Sequence, residues 1–309
     1  MGGGTLSLLW GYGGMDWLTF HKKPERRFRT MVAAFAGWPD AAEASTRAVQ
    51  YLVNKLPARK LADIDPEEFY DFNTVRPLTK VNSRGERTIR WPENAFFYSV
   101  SEPDEPGAIL FVGIEPNHRW RAFTQLVLGV AEEFGVETVV TLGSLLDAVP
   151  HTRDVKVTGV ATTQPYRDEL TGLGMRDSGY QGPSAIHTAL LDACATKGIP
   201  YVSLWGHGPH YVNITPNPVV SRALLSRLEQ VTGIKADMGE LAESAEEFAA
   251  QVSKAFADMP NIVEYVQRLE RQYDEAQLAA EMPSPEKMVA DAEEFLKSHR
   301  RQQGSGENA

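Results

Sequence analysis

Along the first three quarters of the chain, short and mostly apolar runs alternate with amphipathic stretches. TMVAAFA (30–36), AILFVG (108–113), VETVVTLG (136–143) and IPYVSLWG (199–206) have strand length and little polar alternation, the pattern of strands buried on both faces. Between them the apolar spacing changes to three and four. Residues 41–56 set Ala44, Ala48, Tyr51, Leu52 and Leu56 on one face of a predicted helix. Further helices are predicted over 119–134, 183–197 (with Pro183 in the first turn) and 218–230. AFFYSV (95–100) and VKVTGVAT (155–162) read as additional strands. TVRPLTKV and RTIRWPENA flank Asn82-Ser83-Arg84-Gly85, a turn signal that predicts a β-hairpin. The polar, glycine-containing stretch 163–179, with Tyr166-Arg167-Asp168, reads as a loop. Strands alternating with helices predict an α/β fold, a mostly parallel sheet covered on both faces.

The pattern changes after Gly233. Three helices are predicted, over 237–258, 261–281 and 285–300, each with an apolar stripe. Leu241, Phe248, Val252 and Phe256 form the first. Ile262, Tyr265, Val266, Leu269 and Tyr273 form the second, and Met288, Ala292, Phe295 and Leu296 the third. Such stripes need cover, from the body or from another subunit. At the other end, glycines keep residues 1–28 out of regular structure while Trp10, Tyr12, Trp17 and Phe20 call for burial. The expected organisation is an arm (1–29), an α/β core (30–236) and a helical subdomain (237–309).

Charge follows that division. Residues 237–309 hold 16 acidic and 7 basic residues, whereas residues 1–236 hold 25 and 24. A neutral body with an acidic tail disfavours nucleic acid and anionic membrane surfaces as partners. No apolar run approaches a membrane span. The apolar stretch 6–10 has no basic residue before it, so no secretory signal is expected. Cys194 is the lone cysteine, which forbids an internal disulfide and fits a reducing compartment. A cytoplasmic protein is expected.

Ligands of open parallel sheets bind beyond the carboxyl ends of the strands. Four such ends here carry unusual residues: Gly37-Trp38-Pro39-Asp40, then Glu115 with His118 and Arg119, then Ser144, then Gly206-His207-Gly208 with His210. Tyr180-Gln181-Gly182-Pro183-Ser184 adds a fifth segment before a helix, where free N–H groups could hold an anion. Each has a plainer alternative. Asp40 stands three residues before Glu43, the spacing of a helix capping box. Glu115 with His118 and Arg119 is either an acid–base pair with a cation or a structural ion pair. His207 and His210 flank Gly-Pro without zinc spacing, so no metal is expected. Ser144 lacks the second glycine of a nucleophile elbow. Cys194 falls mid-helix among apolar neighbours. No phosphate-binding glycine loop is present, and no cofactor is expected. His207 is the side chain expected to face a partner or ligand, and its removal is expected to cost little stability.

Taken in order, AFAGWPDAAEA, GIEPNHRW, TLGSLLDAVPHTRDVKVTG, YQGPSAIHTALL and LWGHGPHYVNITPNPVV resemble the PAC2 (proteasome assembly chaperone 2) family, in particular its actinobacterial-type members. The similarity covers roughly residues 30–300. The resemblance implies a phosphorylase/hydrolase-like three-layer α/β/α core with an added C-terminal helical subdomain. It also implies homo-oligomerisation and kinship with chaperones that assemble proteasome α-subunit rings in eukaryotes. With the unpaired stripes and arm aromatics, it makes a homo-oligomer the expectation, a trimer by preference. Two function classes remain: a non-enzymatic module that binds itself and other protein subunits, or an enzyme using a pocket at the strand ends. The missing nucleophile–base–orienter set favours the first.

Overall fold

The computed structural model describes residues 17–99 and 107–281. Trp10, Tyr12 and the helix predicted over 285–300 lie outside the described residues. In chain order the elements are β1 (Leu18–Phe20), β2 (Thr30–Ala36), α1 (Ala44–Lys55), β3 (Ala58–Ile64), β4 (Leu78–Val81), β5 (Arg87–Arg90), β6 (Asn94–Ser99) and β7 (Ala108–Ile114). They continue as α2 (Trp120–Glu133), β8 (Thr138–Asp147), β9 (Val157–Ala161), α3 (Gln164–Gly172), α4 (Ile186–Lys197), β10 (Tyr201–Pro209), α5 (Pro218–Thr232), α6 (Gly239–Phe256) and α7 (Pro260–Glu281). The chain divides between Ala255 and Phe256 into two compact units, the second containing α7.

Eight strands form one sheet in the order β1-β3-β6-β7-β2-β8-β10-β9. The central four, β7, β2, β8 and β10, are parallel, and they are the four apolar runs of the sequence. The flanking pairings are antiparallel. Alternation along β2 explains why its sequence is apolar throughout. Met31, Ala33 and Phe35 pack under α2 and α4 with Phe123, Val127, Ile186 and Leu190. Val32 and Ala34 face the other way, onto α1 and α5, with Ala48, Leu52, Val220 and Leu224. Both faces of the sheet are therefore covered. The helices that cover it present residues three and four apart, as Phe123, Leu126, Val127, Val130 and Ala131 do from α2.

The described part of the arm packs on this body. Trp17 meets Phe69 edge-on with ring centroids 5.6 Å apart, and Phe28 is buried against Tyr98 and Phe134. The hairpin β4–β5 forms about the predicted turn and stands outside the main sheet. Several elements differ from the sequence-based expectation. β1 lies in the arm expected to hold no regular structure, where Leu18–Phe20 pairs with the edge strand β3. β3 buries Leu61, Ala62 and Ile64 behind a charged start, Arg59-Lys60, which hides its pattern. The predicted loop 163–179 contains α3, which buries Leu170 alone and so has no apolar stripe. α4 begins at Ile186, three residues after Pro183.

One buried group makes the core acid-sensitive. His187 on α4 is buried, tilted against Trp205 and edge-on to Phe35 with centroids 4.8 and 5.6 Å away. Its Nε2 donates to the Leu142 carbonyl at 3.2 Å. Burial drives its pKa down to about 4, and the carbonyl offsets only part of that. The unfolded chain takes up this proton near 6.5, the ordinary value for histidine, whereas the folded chain does not until about 4. The neutral imidazole's contribution is thus complete above pH 6.5 and lost as pH falls towards 4, on the order of 3 kcal/mol in all. Denaturant titrations at neutral and acidic pH should show that His187→Gln removes much of the acid destabilisation seen in the unsubstituted protein. Equal acid sensitivity in both would contradict this account.

Candidate functional site

The strand-end edge is built around the turn after β2. Gly37 adopts φ +115°, a conformation closed to side chains, and an added Cβ would lie 3.5 Å from that of Glu115. Asp40 follows, buried, and its carboxylate gathers the start of α1. Oδ1 accepts from the Ser45 amide at 2.8 Å, the Ser45 hydroxyl at 2.6 Å and the Thr46 amide at 3.2 Å. Oδ2 accepts from the Thr46 hydroxyl. Ser144 of β8 joins the same group: its hydroxyl donates to Asp40 Oδ1 at 3.4 Å and to the Ala41 carbonyl at 2.9 Å. Asp40 is a helix cap, as its position suggests, but not through a box with Glu43. Ala42 and Glu43 both turn left-handed at φ 52°, so the helix starts at Ala44 and Glu43 pairs with Arg47 at 2.8 Å.

Glu115, after β7, points to the opposite helix layer. Its Oε1 accepts the Ile186 amide at 2.8 Å, so the anion at the N-terminus of α4 is this chain's own carboxylate. Burial raises its pKa, and the Ile186 N–H opposes that rise. His118 and Arg119 turn away from it. The His118 amide donates to the Phe69 carbonyl at 3.1 Å. The Arg119 guanidinium pairs with Glu68 at 3.0 Å and lies 5.2 Å above the Trp17 ring. Tyr180 is 64% exposed, with its hydroxyl folded over Gly182, where a Cβ would meet it at 2.4 Å.

At the fourth end the structure changes the picture. β8 and β10 continue past β2, pairing as far as Pro209 with Asp147. Gly206, His207 and Gly208 therefore lie inside a strand and not in the loop after it. His207 is 4% exposed. Its Nδ1 lies 2.8 Å from Asp147 Oδ2 and its Nε2 3.0 Å from the Thr158 hydroxyl. The carboxylate can only accept, so Nδ1 carries the proton and Thr158 donates to Nε2. Burial lowers the His207 pKa against the opposing pull of Asp147, keeping the ring neutral at neutral pH. Burial would raise Asp147, but the His207 and Ala148 N–H groups, with Lys156 3.7 Å away, hold it below the usual range. His210, beyond the strand, is exposed, and its Nδ1 lies 3.0 Å from the Asp147 carbonyl oxygen.

The order Asp147–His207–Thr158 is that of a hydrolytic triad, but a substrate carbonyl cannot reach it. Thr158 is 8% exposed, in mid-strand, and the adjoining cavity of about 30 Å³ has room for a water molecule or two. The Ser144 hydroxyl is engaged and 1% exposed. The Cys194 thiol is buried, with its pKa pushed up to about 12. Among the described residues no group of three His, Cys, Asp or Glu side chains could hold a metal ion. An open groove of about 470 Å³ lies elsewhere, between α1, residues 214–221 and α6, lined by Arg47, Tyr51, Ile214, Leu241 and Phe248.

The sequence-based expectation gathers four strand ends and the segment 180–184 on one edge; the structure joins Ser144 to Asp40, and sets Glu115 on the amide of Ile186, two residues beyond that segment. Sequence reasoning missed Thr158, which nothing marks in VKVTGVAT. It also missed two exposed apolar residues at this edge, Leu146 at the end of β8 and Ile214 beyond β10. Their exposure follows from the continuation of β8 and β10, which a local pattern does not reveal.

The PAC2 family model matches residues 34–255. The chain belongs to the PAC2 family. A PAC2 family protein from Streptomyces avermitilis is 38% identical, with a TM-score of 0.70 over 77% of this chain and 99% of that one. A Mycobacterium tuberculosis protein described as a proteasome-assembly chaperone homologue is 34% identical, with the same TM-score and coverage. A second M. tuberculosis protein, of unknown function, is 26% identical with a TM-score of 0.77, over 88% of this chain and 95% of its own. No curated protein matches the chain. The PAC2 match and these neighbours agree with the α/β fold read from the sequence.

The His207 geometry replaces the expectation that this side chain is dispensable for folding. His207→Ala leaves the half-buried Asp147 carboxylate and the buried Thr158 hydroxyl without their imidazole partner and should lower stability by about 2 kcal/mol. Urea denaturation at neutral pH reads this directly. A loss within a few tenths of a kcal/mol would show that the Asp147–His207–Thr158 chain does not hold β8, β9 and β10 together.

Proposed function

We propose that this PAC2-family chain is a non-enzymatic, self-associating module that holds other protein subunits on its strand-end surface, in the manner of an assembly chaperone. One observation carries the reading. At this edge the side chains with chemical potential are already engaged within the chain, and the large apolar ones face outward. Trp38 is 61% exposed, Leu146 53%, Tyr180 64% and Ile214 47%, each on a loop or strand end at the carboxyl edge. Aromatic residues so placed are the commonest anchors of protein–protein contacts. The Mycobacterium relative described as a proteasome-assembly chaperone homologue, and an archaeal proteasome activator from Pyrococcus furiosus with the same fold, support this class of partner.

A homo-oligomer, a trimer by preference, belongs to the same proposal, as do the three-part division of the chain and a cytoplasmic setting. Among the described residues no helix is long and apolar enough to cross a membrane. Against the enzyme alternative stands the small cavity beside His207.

The test uses purified actinobacterial proteasome α-subunits as the probe. The chain should bind them, and replacing Trp38 and Tyr180 with alanine should weaken binding at least tenfold while leaving the melting temperature unchanged. Absence of binding by the unsubstituted chain removes the chaperone reading. Binding that survives both substitutions moves the surface elsewhere.

A further inference from the structure

The hairpin β4–β5 is the least covered part of the described chain. Every residue of both strands is exposed. Leu78, Val81, Ile89 and Trp91 are 47–60% exposed, an unusual density of apolar surface for one short element. The register Leu78–Arg90, Thr79–Ile89, Lys80–Thr88 and Val81–Arg87 puts Leu78, Lys80 and Arg90 on one face. Val81, Ile89 and Arg87 share the other. Each face thus combines apolar area with a cation. Residues 76–91 hold Arg76, Lys80, Arg84, Arg87 and Arg90 against Glu86 alone, whereas the rest of residues 1–236 holds 24 acidic and 19 basic residues. None of these five cations has an ion-pair partner among the described residues. A two-stranded hairpin with both faces in water is marginal by itself. Exposed apolar side chains beside unpaired cations on both faces suit one half of an interface.

The complementary half is on the same chain. Residues 237–281 hold 11 acidic and 3 basic residues. On α6 the buried face is Leu241, Ala245 and Val252, while Glu243, Glu246 and Glu247 stand exposed at helical spacing on the outer side. Glu240, by contrast, is matched with Lys55 at 2.6 Å. A hairpin cannot serve a second hairpin, because that contact sets like charge against like.

We infer that the β4–β5 hairpin of one copy docks on the acidic outer face of α6 of a second copy. The two patches are different parts of the surface, so the contact is head-to-tail and propagates until it closes into a ring. This rests on the reading of the chain as self-associating and supplies its contact.

Light scattering after size exclusion tests it, on the full chain at low and high salt. The unsubstituted protein should show a multiple of 34.2 kDa that falls as salt is raised. Arg84→Glu with Arg87→Glu and Arg90→Glu should give a folded 34.2 kDa species, as should Glu243→Lys with Glu246→Lys and Glu247→Lys. All six changes in one chain should restore the larger mass. A monomeric unsubstituted protein overturns self-association and the contact together. An oligomer indifferent to hairpin reversal overturns the contact alone, leaving self-association intact. Dissociation without rescue by the combined chain shows that the hairpin's site is not α6. Should the hairpin instead bind a single-stranded oligonucleotide, with the mass unaffected by charge reversal, it is a nucleic-acid surface and the inference fails. None of these results depends on the α-subunit binding test.

Discussion

The carboxylate of Asp40 is the point on which the strand-end edge depends. Two consecutive non-glycine residues, Ala42 and Glu43, hold φ 52° just after it. Each such left-handed residue costs about 1–2 kcal/mol, and the turn persists only because its surroundings overdetermine it. Asp40 binds forward to Ser45 and Thr46, and Ser144 binds back to it from β8. The Ala42 carbonyl then receives the Asn217 amide at 3.0 Å, and the Ala44 carbonyl the Ser221 hydroxyl at 2.8 Å. One turn therefore fixes the end of β2, the start of α1, the middle of β8 and the N-terminus of α5. Asn217 completes the node by capping α5 through the Val219 and Val220 amides.

Given that node, the chemistry-bearing residues of this edge are spent on structure. Glu115 neutralises the N-terminal dipole of α4, Asp147 and His207 lock β8 to β10, and Thr158 ties β9 to both. A carboxylate, an imidazole and a hydroxyl hydrogen-bonded in that order have the form of a catalytic triad. Burial makes them a polar seam between strands. The seam is nearly saturated, which is the condition under which a shielded polar network stabilises a fold.

How much of this was legible depends on the range of the interaction that decides each element. The four parallel strands were readable because burial on both faces leaves a purely local mark, as in TMVAAFA. β3 was not, since its membership rests on pairing with β6 across more than thirty residues and its opening Arg59-Lys60 is polar. α3 was hidden because a helix burying only Leu170 needs no stripe. The extension of β10 through Gly206-His207-Gly208-Pro209 was also invisible, because no local propensity favours a strand in that composition. Its strand state comes from β8 alongside. Asp40 was recognised as a cap from its spacing, but the tertiary pull of Ser144 and Asn217 set a different geometry from the local box.

The same constraint explains why large aromatic side chains can stand in water here without loosening the edge. Trp38 sits between Gly37, locked at φ +115°, and the buried Pro39, whose carbonyl accepts the Ser144 amide at 2.9 Å. Its backbone is therefore fixed before anything binds. Tyr180 is braced in another way, its hydroxyl donating to the Pro183 carbonyl at 3.3 Å across Gly182. Much of what a docking surface loses on association is the freedom of rotamers and loops, about 0.5–1.5 kcal/mol for each side chain immobilised. Where the backbone under an exposed aromatic is already held by a buried node, most of that loss has been met during folding. The backbone beneath Trp38 is thus preorganised, a property by which a small number of side chains can hold a large partner.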